Sequence, residues 1–149
     1  MLMDRARIAQ LIPHAGAMCL LDGVLEADAE RILCVAHSHR DRANPLARDG
    51  RLRAACGVEY AAQAMALHGA LSQVRAHKPR AGYLASLRDL HLYAAFLDDV
   101  GPELLVEAQH LLGEGTNVIY RFALRADARM LLEGRAAVVL EALPPIAKA

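Results

Sequence analysis

Tryptophan is absent, phenylalanine occurs twice and tyrosine four times, so the chain offers little aromatic surface on which nucleic-acid bases could stack. Neither sign of charge is in excess, because 17 Lys and Arg balance 17 Asp and Glu. Without a basic surplus, a nucleic-acid partner is not expected. Cysteine is scarce and odd in number. Cys19, Cys34 and Cys56 are scattered and form no C-x-x-C pair. This argues against a disulfide framework or structural zinc, and for a reducing, cytoplasmic compartment. No apolar run approaches 18 residues, so no membrane span is expected. The opening MLMDRARIAQLIPH mixes charges among its apolar residues and does not read as a signal peptide. Internal repeats and low-complexity linkers are also lacking.

What remains is an ordinary globular composition. Of the 149 residues, 55% are hydrophobic and 23% charged, which excludes a disordered chain. The length fits one domain, residues 1–149, and a domain of that size buries roughly 70% of its unfolded surface.

Periodicity sorts the chain into elements. Asp4 to Leu11 reads as a short helix, with Asp4 as N-cap and Pro13 ending the run. Val24 to Ala27 and Arg31 to Ala36 read as strands on either side of a turn. Residues 37–53 form a long polar loop holding Asn44-Pro45 and Asp49-Gly50, and a loop of that length is functional or disordered. Ala54 to His77 predicts the one long helix, with no proline until Pro79. Its many alanines and glycines leave small side chains on nearly every face, as a helix wrapped closely by a sheet requires. Strands are predicted from Gly82 to Leu92, Leu104 to Leu112, Thr116 to Arg125 and Met130 to Leu140. In the third of these, Val118, Tyr120, Phe122 and Leu124 share a face. One helix among runs of strands means α+β rather than alternating βαβ units. The simplest architecture is an antiparallel sheet curled around one central helix.

Two segments carry a resemblance. IPHAGAMCLLDGVLE supplies Pro13, His14, Met18, Leu20, Leu21, Asp22 and Val24, and the helix stretch GVEYAAQAM supplies Glu59 and Gln63. Together they resemble the hotdog-fold 3-hydroxyacyl-[acyl carrier protein] dehydratases, the FabA/FabZ-like family, and within it the branch found with aryl-polyene pigment synthases. The resemblance covers nearly the whole chain in element order and is specific in those two segments. It implies a hotdog fold and dehydration of 3-hydroxyacyl thioesters to trans-2-enoyl thioesters. It also implies an acyl carrier protein bearing phosphopantetheine as partner, a homodimer or a heterodimer with another hotdog subunit, and neither cofactor nor metal. A site at the protomer interface would let His14 meet Glu59 of the partner chain. The sequence departs from FabA and FabZ in one respect. Their catalytic histidine lies in a His-Phe-Pro loop, whereas here His39 is followed by Arg40 and stands farther from Glu59 than in that motif. The pigment branch lacks that loop motif too, which points to His14, with His39 as runner-up.

The residues suit the chemistry. A neutral imidazole at His14 can take the proton alpha to the thioester. Glu59 is the sole acidic residue between Asp49 and Asp89, set among Ala, Val, Gly and Tyr. An apolar setting would keep it protonated as the acid for the departing hydroxyl. The helix N-terminus is expected to offer N–H groups to the developing enolate, with Gly57 letting a substrate carbonyl come close. Gln63, one turn after Glu59, either orients it or satisfies a buried backbone group. His39 is carried as a substrate-binding candidate. His37 and His39 would share one side of a strand, but no acidic or cysteine partner is evident for a metal. Tyr60, Met65 and His68 read as core. Arg48, Arg51 and Arg53 form a candidate docking patch for the acidic carrier protein. Two further readings stay open: a hotdog thioesterase whose helix carboxylate activates water, and a non-catalytic hotdog subunit of a synthase.

Overall fold

A computed structural model describes residues 1–12, 16–72, 80–113 and 117–142. His14 lies outside the described residues, as do the last five positions of the expected long helix. The elements run β1 (Met3–Asp4), α1 (Arg5–Leu11), β2 (Gly23–Ala27), β3 (Arg31–Ala36), α2 (Gly57–Ser72), β4 (Arg80–Leu92), β5 (Leu104–Leu112), β6 (Asn117–Ala126) and β7 (Arg129–Ala142). Short 3-10 turns occupy Gly16–Met18, Ser38–Arg40 and Ala54–Cys56.

Local chemistry explains the boundaries. Asp4 caps α1, its carboxylate accepting the Arg7 N–H at 3.0 Å, and Ile8 plugs the helix into the core. The β6–β7 hairpin closes on Asp127 and Ala128, with φ of 49° and 61°. Two successive positive φ values match the right-handed twist of the paired strands.

All seven strands join one antiparallel sheet in the order β1-β2-β3-β5-β6-β7-β4. Helix α2 lies on its inner face, against β3, β5 and β6 and, at its margin, β4. No residue from Cys56 to Leu71 is fully exposed, so α2 is a core element rather than a surface helix. The small residues make this possible. A Cβ at Gly57 would stand 2.7 Å from a Leu132 methyl and 3.1 Å from one of Leu124, so a larger residue there would force these leucines or the helix to shift. Tyr60, Ala61, Ala64, Leu67, Val106, Phe122, Leu124 and Leu132 are among the residues that fill the interior around it.

The long loop 37–53 is ordered by cross-links to the 93–103 connection. Leu97 N–H donates to Leu52 O, Ala54 N–H to Ala95 O and Leu52 N–H to the Asp98 carboxylate. One sheet margin is bare. β4 pairs only with β7 among the described residues, and two bulges interrupt that pairing. Register places Leu84, Leu87 and Leu92 opposite Val138, Ala136 and Leu132, hence on the core-facing side. They are nonetheless 42%, 38% and 47% exposed, although α2 touches part of this strand.

Candidate active site

Glu59 sits in the first turn of α2 and is half-buried. One turn on, Gln63 is fully buried and uses both ends of its amide. Its Oε1 accepts the Leu20 N–H at 2.9 Å, and its Nε2 donates to Met18 O at 2.7 Å and to Glu59 Oε1 at 3.4 Å. The two alternatives for this glutamine are therefore both realised: it touches the carboxylate and it satisfies buried backbone. It also binds α2 to the segment that follows His14.

That segment is anchored elsewhere too. Arg5 donates to Gly16 O at 2.9 Å and lies 3.5 Å from Asp22, whose carboxylate accepts the His37 N–H at 2.7 Å. Asp22 thus ties α1 to the end of β3. Beneath Leu20, Ser38 Oγ donates to Leu20 O at 2.8 Å. Because the serine proton is used there, the Tyr60 hydroxyl donates to Ser38 Oγ at 2.7 Å. Asn44 Nδ2 in turn donates to Tyr60 Oη at 3.0 Å and to Ser38 O at 2.9 Å. Burial pushes the Tyr60 phenol up, with Ser38 and Asn44 pulling the other way.

Sequence reasoning placed Tyr60 correctly in the core but missed what its hydroxyl does. A buried tyrosine needs a polar partner, and the Asn44-Pro45 turn was the available signal for one. Ser38 carried no sequence signal, since its partners are distant in the chain.

Several expectations change. Three of the N–H groups at the expected helix start are engaged by the 3-10 turn leading into α2 or by the 93–103 connection. Cys56 N–H donates to Arg53 O, Gly57 N–H to Ala54 O and Ala55 O, and Ala54 N–H to Ala95 O. The close approach Gly57 permits is to Leu132 and Leu124 of the sheet. His39 is 1% exposed, with Nε2 2.7 Å from Gly101 O, and burial holds its pKa below the ordinary value. The 3-10 turn at 38–40 leaves this ring buried, with its Nδ1 lacking a hydrogen-bond partner among the described residues. His37 is exposed and leans toward Asp22 and Glu103, so the His37/His39 pair has no shared face. Among the described residues no group of three His, Cys, Asp or Glu could hold a metal.

Of the three patch arginines, Arg51 is already paired with Asp98 at 2.8 Å and Asp99 at 3.4 Å, and its guanidinium lies 3.8 Å over the Phe96 ring. Its charge is largely offset. Arg48 and Arg53 remain exposed, Arg53 5.8 Å from the same ring. His68, farther along α2, is fully occupied. Its Nε2 donates to Asp28 O at 2.9 Å and its Nδ1 accepts the Tyr120 hydroxyl at 2.7 Å. Burial lowers its pKa, with a further push from His110. It borders a cavity of about 370 Å³ with Leu2, Met3, Val24 and Leu71. Among the described residues no helix is long and apolar enough to cross a membrane.

The comparisons agree with this architecture. A family model described as ApeP dehydratase, of the ApeP-like family, matches residues 6–144. No curated protein matches the sequence. Among solved structures, a chain of the dehydratase heterocomplex ApeI:P from Xenorhabdus doucetiae superposes with a TM-score of 0.78 at 19% identity, covering 90% of each chain. A mutant thioesterase from Pseudomonas aeruginosa gives 0.67 at 13% identity, covering 94% of this chain and 95% of that one. The PaaI protein of the Escherichia coli phenylacetic acid degradation operon gives 0.61 at 12% identity, covering 91% and 88%. At these identities the structural matches establish the hotdog fold, which thioesterases and dehydratases share.

Proposed function

Because the chain belongs to the ApeP-like dehydratase family, we propose that it eliminates water from a 3-hydroxyacyl thioester carried on the phosphopantetheine of an acyl carrier protein. The product is a trans-2-enoyl thioester, of the kind used in aryl-polyene-type pigment or lipid synthesis. His14 takes the proton from the carbon alpha to the thioester. Glu59 gives a proton to the hydroxyl on the next carbon, the C–O bond breaks, and the electron pair of the C–H bond becomes the new double bond. Water leaves, and no cofactor or metal enters the balance. The reaction is reversible.

The observation that carries this reading is the match over residues 6–144, together with the position of Glu59. Its carboxylate stands at the start of an enclosed helix and is joined through Gln63 to the segment that follows His14. Gln63 is thereby a residue at the substrate's reacting end. Gly57 sets the depth of the helix in the sheet, and His39 braces the loop over Gly101. Arg48 and Arg53 supply the exposed charge that an acidic carrier protein would meet, with Arg51 held in place by Asp98 and Asp99.

The assembly is a dimer formed along β4 with a second hotdog subunit, a copy of this chain or a different one. The exposed, core-facing leucines of β4 support it, as does the heterocomplex in which the Xenorhabdus doucetiae chain occurs.

The test presents a 3-hydroxyacyl thioester to the chain, alone and with a hotdog partner, and follows both enoyl absorbance and thiol release. Enoyl formation without thiol is expected. Glu59→Gln and His14→Ala should each lower the rate at least ~100-fold, the scale of a lost general acid or base. Thiol release without enoyl product would mean hydrolysis, the thioesterase alternative. Absence of turnover in either assembly would leave a non-catalytic subunit.

A further inference from the structure

Seven hydrogen bonds meet around one backbone position, Leu20, and their directions agree. Asn44 donates to Tyr60, Tyr60 to Ser38, and Ser38 to the Leu20 carbonyl. From its other side, the Leu20 N–H donates to Gln63, which donates to Met18 O and to the Glu59 carboxylate. The remaining bond, Leu46 N–H to Asn44 Oδ1 at 2.9 Å, fixes the asparagine itself. Tyr60 is the residue bonded to Glu59 in the chain, so the circuit closes on the helix turn that carries the carboxylate. Tyr60, Gln63 and Leu20 are all fully buried, and Asn44 nearly so.

Packing alone does not require this arrangement. A phenylalanine would fill the Tyr60 site, and the polar chain adds direction where an apolar contact would add only volume. Its effect is to lock three separate pieces together: the first turns of α2, the 18–20 segment and the 38–46 loop. A carboxylate and its reacting partner are productive only when held within a fraction of an ångström of the right geometry.

We propose that the Asn44–Tyr60–Ser38 chain is a positioning device for Glu59, acting through Leu20 and Gln63. These residues do not touch substrate. They fix where the Gln63 amide sits, and Gln63 fixes the carboxylate. The proposal rests on the reading of Glu59 as a reacting group.

The experiment measures kcat and KM for 3-hydroxyacyl thioester dehydration by Tyr60→Phe, Ser38→Ala, the double variant and Ser38→Thr, in whichever assembly the wild-type chain turns over. Tyr120→Phe is the control. It removes another buried hydroxyl, bonded to His68 at 2.7 Å and two turns farther along α2, away from the carboxylate. Tyr60→Phe and Ser38→Ala should each lower kcat about ten- to hundredfold while KM stays within about twofold, the scale of a small misplacement. The double variant should be no worse than either single one, because both cut the same chain. Ser38→Thr keeps the hydroxyl and should keep kcat, and Tyr120→Phe should lower thermal stability but leave kcat near wild type. Full kcat in Tyr60→Phe, a change confined to KM, additive losses, or an equal loss in Tyr120→Phe would each overturn the positioning role. If Glu59→Gln itself retained activity, the reading of Glu59 would fall and the positioning proposal with it. An active, Glu59-dependent enzyme indifferent to Tyr60→Phe would remove the positioning proposal alone.

Discussion

Alanine at Gly57 tests how tightly α2 is held in the sheet. A Cβ built there would lie 2.7 and 3.0 Å from the two δ-methyls of Leu132 and 3.1 Å from a δ-methyl of Leu124. Carbon atoms in contact rest about 3.5–4.0 Å apart, so the leucines or the helix must shift by roughly half an ångström or more. Side-chain ends often yield cheaply, but both leucines are fully buried, and in a close-packed interior a shift of either is passed on to its neighbours. Overpacking of this kind costs about 1–3 kcal/mol. Two effects run against it. Gly57 already has φ −60° and ψ −23°, so alanine meets no backbone strain. Alanine also gains up to about 1 kcal/mol of helix propensity, less at a first helical residue. The net expectation is a loss of about 1–2 kcal/mol, or about 2–8 °C in Tm for a domain of this length. Urea unfolding followed by circular dichroism should show a lower midpoint with an unchanged slope. Adding Leu132→Val, which removes one methylene from the crowded spot, should recover part of the loss. A midpoint equal to or above wild type would refute the argument, since it would mean that helix and sheet are not in contact at this point. Loss of activity at full stability would instead restore Gly57 to a role against substrate.

Three further outcomes are expected of the same fold. His39 and His68 are buried with pKa values held low, so folding favours their neutral forms and the unfolded chain binds more protons below about pH 6.5. Stability should therefore fall as pH drops through that value, by up to about 1.4 kcal/mol per pH unit for each histidine; denaturant titrations between pH 5 and 8 should show the slope, and it should flatten in His68→Gln. Ala128 sits at φ 61° in the β6–β7 turn, where an L side chain costs about 1–2 kcal/mol, so Ala128→Gly should raise stability by about 0.5–1 kcal/mol after its extra unfolded-state entropy is counted. An unchanged or lower Tm would contradict that turn geometry. If the proposed dimer forms along β4, Leu87→Lys with Leu92→Lys should shift it toward monomer in analytical ultracentrifugation and lower activity with it; an unaltered dimer mass would contradict an interface on β4.

Much of the fold was legible because it is written in local pattern. The alternation through Val118, Tyr120, Phe122 and Leu124 made β6 readable, and all four proved buried. The bounds of β3 and β5 match the expected ones, since each is a stretch of mostly apolar or alternating residues between clear turn residues. The Ala/Gly richness of α2 announced a helix clasped by a sheet. The candidate site was legible only in part. Glu59 stood out as a lone acid among small residues, and Gln63 followed from helical spacing. Ser38 and Asn44 did not, because their bonds to Leu20 and Tyr60 span long sequence separations that no periodicity records. The 3-10 turn that consumes the N–H groups of Cys56 and Gly57 was also hidden, since it differs from an α-helical start by one hydrogen-bond register.

The order of residues determined which segments are strands, which is the helix, and which two stretches resemble the family, because side-chain period and composition act between near neighbours. Tertiary structure decided the rest. Only the folded chain brings Leu20 between Ser38 and Gln63, turns His39 under Gly101, cancels Arg51 with Asp98 and Asp99, and leaves the leucines of β4 uncovered. Hydrogen bonds and ion pairs depend on distances of a few ångströms in space. Chain order by itself does not set those distances until the sheet has closed around the helix.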